Sequence, residues 1–149
     1  MSLVDFVVRP AVQEDSVVIR EMVRVARINP TGLDWHRFLV AVSPEGTLAG
    51  CGQIKPHGDG SRELASIVVA PEFRGRGVAR LVIDQLLLNE TRPIYLMCRS
   101  RLGPFYQKFG FRAIATGERP PYFRRMARLA KVFSVMAREG ESLLVMKLD

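Results

Sequence analysis

The sequence has few cysteines, no long apolar run and no metal-ligand pattern. Its two cysteines, Cys51 and Cys98, both lie within apolar segments, as is usual in a reducing compartment rather than in a disulfide-stapled secreted domain. No stretch approaches the roughly 18 apolar residues of a membrane span. No signal-peptide pattern opens the chain, and no cluster of Cys, His and acidic residues has metal-ligand spacing. We therefore expect a cytoplasmic protein that has no membrane span and binds no metal.

The composition excludes disordered and fibrous proteins. Hydrophobic residues make up 48% and charged residues 25% of the 149 residues, which is ordinary for a globular domain. This length suits one domain, so we expect residues 1–149 to form a single unit. Lys and Arg number 22 against 15 Asp and Glu, a net charge of +7 that attracts polyanions. A positive charge of this size is compatible with binding either nucleic acid or a phosphorylated cofactor, and it does not distinguish between these two ligands.

The hydrophobic pattern predicts alternating strands and helices. The predicted strands are 5–9, 38–43, 48–55, 63–69, 93–98, 111–115 and 142–148. The predicted helices are 13–27, a segment starting after Gly77, 102–108, and an insert over 116–138 whose apolar stripe comprises Tyr122, Met126, Leu129, Phe133 and Met136. Antiparallel hairpins followed by a strand–helix–strand unit predict an α+β domain with a mixed sheet, with the helical insert before the last strand.

The most informative segment is the glycine turn between the fourth strand and the helix after it. Gly75 and Gly77 are surrounded by Arg74, Arg76 and Arg80. Glycines at a helix N-terminus let backbone N–H groups approach an anion, and the helix dipole favours negative charge there. The turn therefore predicts a phosphate or pyrophosphate site, with a plain glycine turn as the alternative. It lacks the Lys-Ser/Thr of a P-loop and the third glycine of a dinucleotide fingerprint.

Two motifs resemble those of the GNAT acetyltransferase superfamily. The run Arg74-Gly75-Arg76-Gly77-Val78-Ala79 resembles its Gln/Arg-x-x-Gly-x-Gly/Ala motif, preceded by Val-x-Pro-Glu-x-Arg. Residues 105–111, Phe-Tyr-Gln-Lys-Phe-Gly-Phe, resemble its second signature, a tyrosine followed by Gly-Phe. Residues 8–11 and 14–15 look like its first strand and helix start. The resemblance covers nearly the whole chain in the right order.

This resemblance implies a single GNAT-like N-acetyltransferase domain with a central, mostly antiparallel twisted sheet flanked by helices. It implies direct acetyl transfer from acetyl-CoA to an amine, without a covalent acyl-enzyme. The strand before the turn would splay and pair with pantetheine, the turn would hold the pyrophosphate, and Val69 N–H would stabilise the charged carbonyl oxygen. The implied cofactor-binding residues are Ile67, Val68, Val69, Arg74, Gly75, Arg76, Gly77, Val78, Ala79 and Arg80.

Two side chains are candidates for proton transfer. Tyr106, in the second motif, would protonate the departing thiolate, because a phenol has similar basicity; the alternative is a packed aromatic beside Phe105. Glu63 would take the amine proton, directly or through water. Strand alternation would place it on the face of Val69, and the alternative is a surface carboxylate paired with Arg62.

The remaining reactive side chains have simpler interpretations. We expect His36 and His57 to be solvent-facing or structural, since neither has a partner motif. We expect Cys98 to be a small buried hydrophobe. Many members of the superfamily carry an asparagine where Arg99 stands here. Arg99 either reaches a phosphate or an acidic acceptor, or is solvated.

The acceptor site would be formed by the loop carrying Trp35 and by the insert, with Arg119, Arg124 or Arg125 recognising an anionic group. The acceptor would then be a small amine bearing such a group, although a protein amine is an alternative. The insert is equally compatible with a helix that shows its arginines to solvent, and a basic membrane-surface helix is a weaker interpretation.

Two other functions compete with catalysis. One is an acyl-CoA-binding sensor or scaffold of the same fold, without turnover. The other is a nucleic-acid-binding protein, which we do not expect because no stacking platform, helix-turn-helix or zinc signature accompanies the charge. The expected partners are acetyl-CoA and an amine, and the expected state is a monomer or a homodimer.

Overall fold

The computed structural model describes residues 5–132 and 141–149. The strands are β1 (Val7–Pro10), β2 (Phe38–Val42), β3 (Leu48–Pro56), β4 (Arg62–Val69), β5 (Ile94–Arg99), β6 (Arg112–Ala113) and β7 (Leu143–Leu148). The helices are α1 (Ser16–Ala26), α2 (Val78–Leu88), α3 (Gly103–Gln107) and α4 (Pro121–Val132). The predicted order of elements is confirmed. Two positions of the predicted apolar stripe, Phe133 and Met136, lie outside the described residues.

The strands form a mixed, mostly antiparallel sheet in the order β1-β2-β3-β4-β5-β7-β6. β1 with β2, β2 with β3, β5 with β7, and β6 with β7 are antiparallel. β4 begins parallel to β5, where Glu63 pairs with Tyr95. This arrangement confirms the predicted fold class, because a parallel pair needs a helical crossover such as α2 between its strands.

One compact unit comprises residues 64–90 and the chain up to Lys55. Its core joins α1 to the sheet through Ile19 and Val23, which pack with Val40, Cys51 and Val68. α2 packs against β1 and β2. Two glycines of β3 make room for α2, because a Cβ on Gly50 would lie 2.8 Å from Val78 Cγ1 and one on Gly52 would lie 3.1 Å from Val82 Cγ1.

The second compact unit comprises residues 56–63 and the chain from Thr91 onward. Its core contains Tyr95, Ile114, Phe123 and Val145, and α4 packs against β7. Phe123 is fully buried, so the start of the helical insert is part of this core. None of the helices within residues 5–132 and 141–149 has the length and apolar character needed to span a bilayer.

Candidate active site

The glycine turn after β4 forms an exposed corner that leads into α2. Gly75 and Gly77 both have φ of +78°, a left-handed conformation that glycine adopts without strain. The first turn of α2 closes where Leu81 N–H donates to the Gly77 carbonyl at 3.1 Å. The N–H groups of residues 78–80 therefore precede the hydrogen-bonded part of the helix. Such groups are the donors that helix N-termini offer to phosphate.

The surroundings of this corner suit an anion. Arg74, Arg76 and Arg80 are exposed, and the Arg76 guanidinium lies 5.8 Å from the centre of the Phe73 ring. No atom lies within 4 Å of the position that a Cβ on Gly75 would occupy. The corner thus combines open space, backbone donors and positive charge.

An apolar groove of about 310 Å³ adjoins the corner in the same unit. α1 contributes Val17, Val18, Met22 and Val25, and the chain from Val68 to Pro71 contributes the opposite wall. Arg74 and Glu21 are the charged residues that line it. The groove fits an apolar chain attached to an anionic group.

β4 is interrupted at Ser66, whose φ is +58°. This conformation is uncommon for a residue other than glycine and is typical of a β-bulge. Gln53, which is fully buried, donates from Nε2 to Ser66 Oγ at 2.9 Å and to the Gly32 carbonyl at 3.1 Å. The predicted alternation assumes extended backbone throughout, and Ser66 departs from it. The shared face of Glu63 and Val69 therefore stays a prediction.

Glu63 is buried and hydrogen-bonded to a histidine. Its side chain is 7% exposed, and Oε1 lies 2.8 Å from Nε2 of His57, whose side chain is 11% exposed. Of the two interpretations offered for His57, solvent-facing or structural, the burial excludes the first, because the hairpin turn between β3 and β4 folds the side chain back against the strand. The alternative in which Glu63 is a surface carboxylate is wrong for the same reason.

The start of α4 encloses this pair. The Tyr122 ring stacks on the His57 ring, with centroids 3.5 Å apart and planes at 16°. Phe123 meets the same imidazole edge-on at 5.8 Å. Burial and the nearby Glu63 carboxylate raise the pKa of Tyr122, whereas Arg125 opposes this effect. Tyr122 therefore carries a neutral phenol over the physiological range.

Tyr106 lies on α3 among aromatic rings. Phe105 lies 5.1 Å and Phe111 6.2 Å away between ring centroids, both edge-on. Burial, and secondarily the nearby Cys98 sulfur, raises the pKa of Tyr106 to about 12. Burial also raises the pKa of Cys98 to about 11. Tyr106 therefore holds its proton at neutral pH, and Cys98 stays a thiol, which is a poor nucleophile.

The residues predicted to bind the acceptor differ in their contacts. Trp35 is half-buried and stacks on His36 with centroids 3.7 Å apart. Arg124 donates from Nε to the Arg119 carbonyl at 3.1 Å, and the Arg125 guanidinium lies 5.7 Å from the Tyr122 ring centre. The Nε of Arg119 is buried and has no hydrogen-bond partner within residues 5–132 and 141–149.

Arg99, which stands where many members of the superfamily carry an asparagine, pairs with an acidic side chain. Its Nη1 lies 3.6 Å from Oε2 of Glu141, whose other oxygen lies 2.9 Å from Arg101 Nε. Both arginines therefore pair with an acidic residue of their own chain. In the described part of the chain, no group of three or more His, Cys, Asp or Glu side chains is arranged to hold a metal ion.

Two features escaped the sequence analysis, namely the His57–Glu63 pair and the left-handed Ser66. The first had a detectable signal, because a hairpin turn over 57–61 brings the residues that flank it together, and His57 N–H donates to the Ser61 carbonyl at 2.9 Å. The second had none, since no glycine or asparagine marks the bulge.

Solved structures with the same fold include acetyltransferases and complexes with CoA. Rv2747 from Mycobacterium tuberculosis, in complex with CoA, is 21% identical with a TM-score of 0.70, and the match covers 93% of this chain and 97% of that one. N-acetylglutamate synthase from Neisseria gonorrhoeae, complexed with coenzyme A and N-acetyl-glutamate, is 18% identical with a TM-score of 0.71. That match covers 97% of this chain but 35% of the synthase chain.

A third structure, an acetyltransferase of the GNAT family from Staphylococcus aureus Mu50, is 13% identical with a TM-score of 0.70, over 97% of this chain and 99% of that one. No curated protein sequence matches the chain significantly. The family model described as an acetyltransferase (GNAT) domain matches residues 34–113, which is more than half of the chain. That segment contains β2 to β6, the glycine turn and the tyrosine motif. The chain therefore belongs to the GNAT acetyltransferase family.

Proposed function

We propose that this protein is an acetyl-CoA-dependent N-acetyltransferase whose acceptor is a small amine bearing a carboxylate. The observation that carries the proposal is the buried Glu63 carboxylate at 2.8 Å from His57. Acetyl transfer to an amine requires that the attacking nitrogen lose a proton. A sensor or scaffold of the same fold needs no such group.

The glycine corner supports acetyl-CoA as the co-substrate. Its first-turn N–H groups and exposed arginines would hold the pyrophosphate, and the apolar groove beside Val68 to Pro71 would hold the pantetheine chain. The left-handed conformation of Ser66 supports a backbone role for Val69, because such a residue, which is typical of a β-bulge, redirects N–H groups out of a strand's regular ladder. A fixed N–H aimed at a developing oxyanion contributes a few kcal/mol.

Two side chains would handle the protons. Glu63 would accept the proton that the acceptor nitrogen loses, and Tyr106 would donate one to the departing thiolate of CoA. Because burial raises the pKa of Tyr106 to about 12, the phenol is protonated at neutral pH and has a proton to donate. The high pKa of Cys98 argues for direct transfer, since a thiol is a poor acyl acceptor.

The buried Nε of Arg119 favours an acceptor that carries a carboxylate. A buried guanidinium N–H without a partner is costly and is usually satisfied by a ligand or by water. The orphaned Nε of Arg119 lies in the segment leading into α4, whose start encloses His57. Neisseria N-acetylglutamate synthase, which shares the fold, was crystallised with N-acetyl-glutamate, an acetylated amine that carries carboxylates.

The test is acetyl transfer across a panel of amines, measured by thiol release and by mass spectrometry of the product. Amino acids should be acetylated, and their carboxamide analogues at least about tenfold less efficiently. Arg119→Gln should raise KM for carboxylated amines about tenfold and abolish that preference, with Arg128→Gln as the exposed control on α4. Equal turnover of the amides would remove the carboxylate from the proposal.

Glu63→Gln tests the catalytic role directly. We expect kcat to fall about 100-fold while calorimetry shows unchanged CoA affinity, with the exposed Glu45→Gln as the matched control. Tight CoA binding without product from any amine would favour the sensor instead.

A further inference from the structure

His57 is held by more contacts than a structural turn residue requires. Its hairpin turn, residues 56–61, is attached to the start of α4 by Asp59, whose carboxylate accepts Tyr122 N–H at 2.9 Å. The same carboxylate accepts from the N–H and hydroxyl of Ser61 at 2.8 and 2.5 Å. Asp59 and Tyr122 are 63 residues apart in the sequence, so this hydrogen bond joins the turn to a distant segment of the chain.

The imidazole has no freedom within this arrangement. The Tyr122 ring stacks on one face of the imidazole, and the Phe123 ring packs edge-on against it. Nε2 lies 2.8 Å from Oε1 of Glu63. Phe123 packs in turn on Tyr95, with centroids 5.3 Å apart. A side chain confined by two rings and one short hydrogen bond fixes the orientation of the group it contacts.

We infer that His57 is a positioning residue for Glu63, and that the first turn of α4 serves to hold it. The inference rests on the proposed function. A neutral imidazole donates Nε2–H to Oε1 of Glu63, which leaves Oε2 to accept the proton from the acceptor nitrogen. In that step an N–H bond breaks, an O–H bond forms on Glu63, and His57 keeps its own proton.

Two substitutions test the hydrogen bond. His57→Gln keeps a donor near the position of Nε2, whereas His57→Phe keeps the stacking on Tyr122 and loses the donor. For His57→Phe we expect kcat to fall at least about tenfold with KM for acetyl-CoA unchanged. For His57→Gln we expect partial rescue of kcat.

His36→Gln is the control, since His36 also lies 2.7 Å from a carboxylate but its side chain is 67% exposed. This variant should keep the wild-type kcat. If His57→Phe has the activity of the wild type, or if His57→Gln is as impaired as His57→Phe, the inference is overturned while the proposed function stands. If the wild type acetylates no amine, both fall together.

A second measurement does not depend on turnover. The chain has two histidines, so ring ¹⁵N–¹H correlation spectra of the wild type and of His36→Gln assign both. We expect His57 to be the Nε2–H tautomer at high pH, and we expect Glu63→Gln to change its ring nitrogen shifts. A wild-type Nδ1–H tautomer at high pH would overturn the inference, because Nε2 could not then donate to Glu63.

Discussion

The glycine corner and the cluster around Glu63, which comprises His57, Asp59, Tyr122 and Phe123, are built in opposite ways. The corner occupies one contiguous stretch of the chain, from Val69 to Arg80, and its donors are backbone N–H groups. The cluster combines the turn at 56–61, the start of β4 and the start of α4, and its groups are side chains. A contiguous site leaves a motif in the sequence, whereas an assembled site leaves isolated residues. The predictions below test whether the two differ in this way, beginning with the largest expected effect.

Tyr106→Phe should lower kcat about 100-fold or more without changing CoA affinity. The substitution removes the only phenol that we assign to the leaving group, and the ring and its packing against Phe111 remain. Because the pKa of Tyr106 is about 12, this residue should cause no loss of rate in the wild type as the pH rises to 10. Steady-state kinetics between pH 6 and 10 checks both points, and an unchanged kcat would remove Tyr106 from the mechanism.

Asp59→Ala should loosen the side chains around His57 and Glu63 without removing either of them. The loss of the acceptor for Tyr122 N–H and Ser61 N–H should cost about 1–3 kcal/mol of stability. It should also lower kcat several-fold, because Tyr122 then no longer fixes His57. Urea unfolding and steady-state kinetics measure the two effects, with the exposed Asp84→Ala on α2 as control. If the variant lost stability but kept its kcat, the turn would contribute to folding and not to catalysis.

The same residue predicts a pH effect on stability. Burial alone would raise the pKa of Asp59, but hydrogen bonds from the Ser61 hydroxyl and from the N–H groups of Tyr122 and Ser61 lower it overall. A lowered folded-state pKa contributes stability above the unfolded pKa, and this stability is lost as the pH falls through the folded value. Asp59→Asn should therefore flatten the acid side of the stability profile. An unchanged profile would contradict the assignment.

Gly75→Ala should weaken the contiguous corner. The φ of +78° makes a Cβ unfavourable by about 1 kcal/mol, and the methyl group would enter the open space that we assign to the pyrophosphate. We expect both lower stability and several-fold weaker CoA binding by calorimetry. Gly46→Ala is a matched control, because Gly46 has φ of +87° and equally open space but lies in the hairpin turn between β2 and β3. A loss of CoA affinity in both variants would mean that the corner has no special role.

Most of the fold could be predicted because its signals are local. Periodicity and turn residues located the strands and the α-helices named above, although the predicted insert begins at residue 116 and α4 at Pro121. The pairing of His57 with Glu63 could not be assigned a function in advance, because its enclosure depends on Tyr122, a residue more than 50 positions away. Ser66 was missed for another reason, since tertiary hydrogen bonds rather than backbone propensity hold it in the left-handed region.

The smallest expected effect concerns that serine. Ser66→Gly relieves about 1 kcal/mol of left-handed strain and loses the hydrogen bond from Gln53, which is worth a similar amount, so its stability should lie within about 1 kcal/mol of the wild type. Ser66→Ala loses the same hydrogen bond without the relief and should be less stable than Ser66→Gly by about 1 kcal/mol. Chemical unfolding of the two variants measures the difference. If they were equally stable, β4 would relax out of the bulge once the hydroxyl is gone, and Gln53 would be what maintains the bulge.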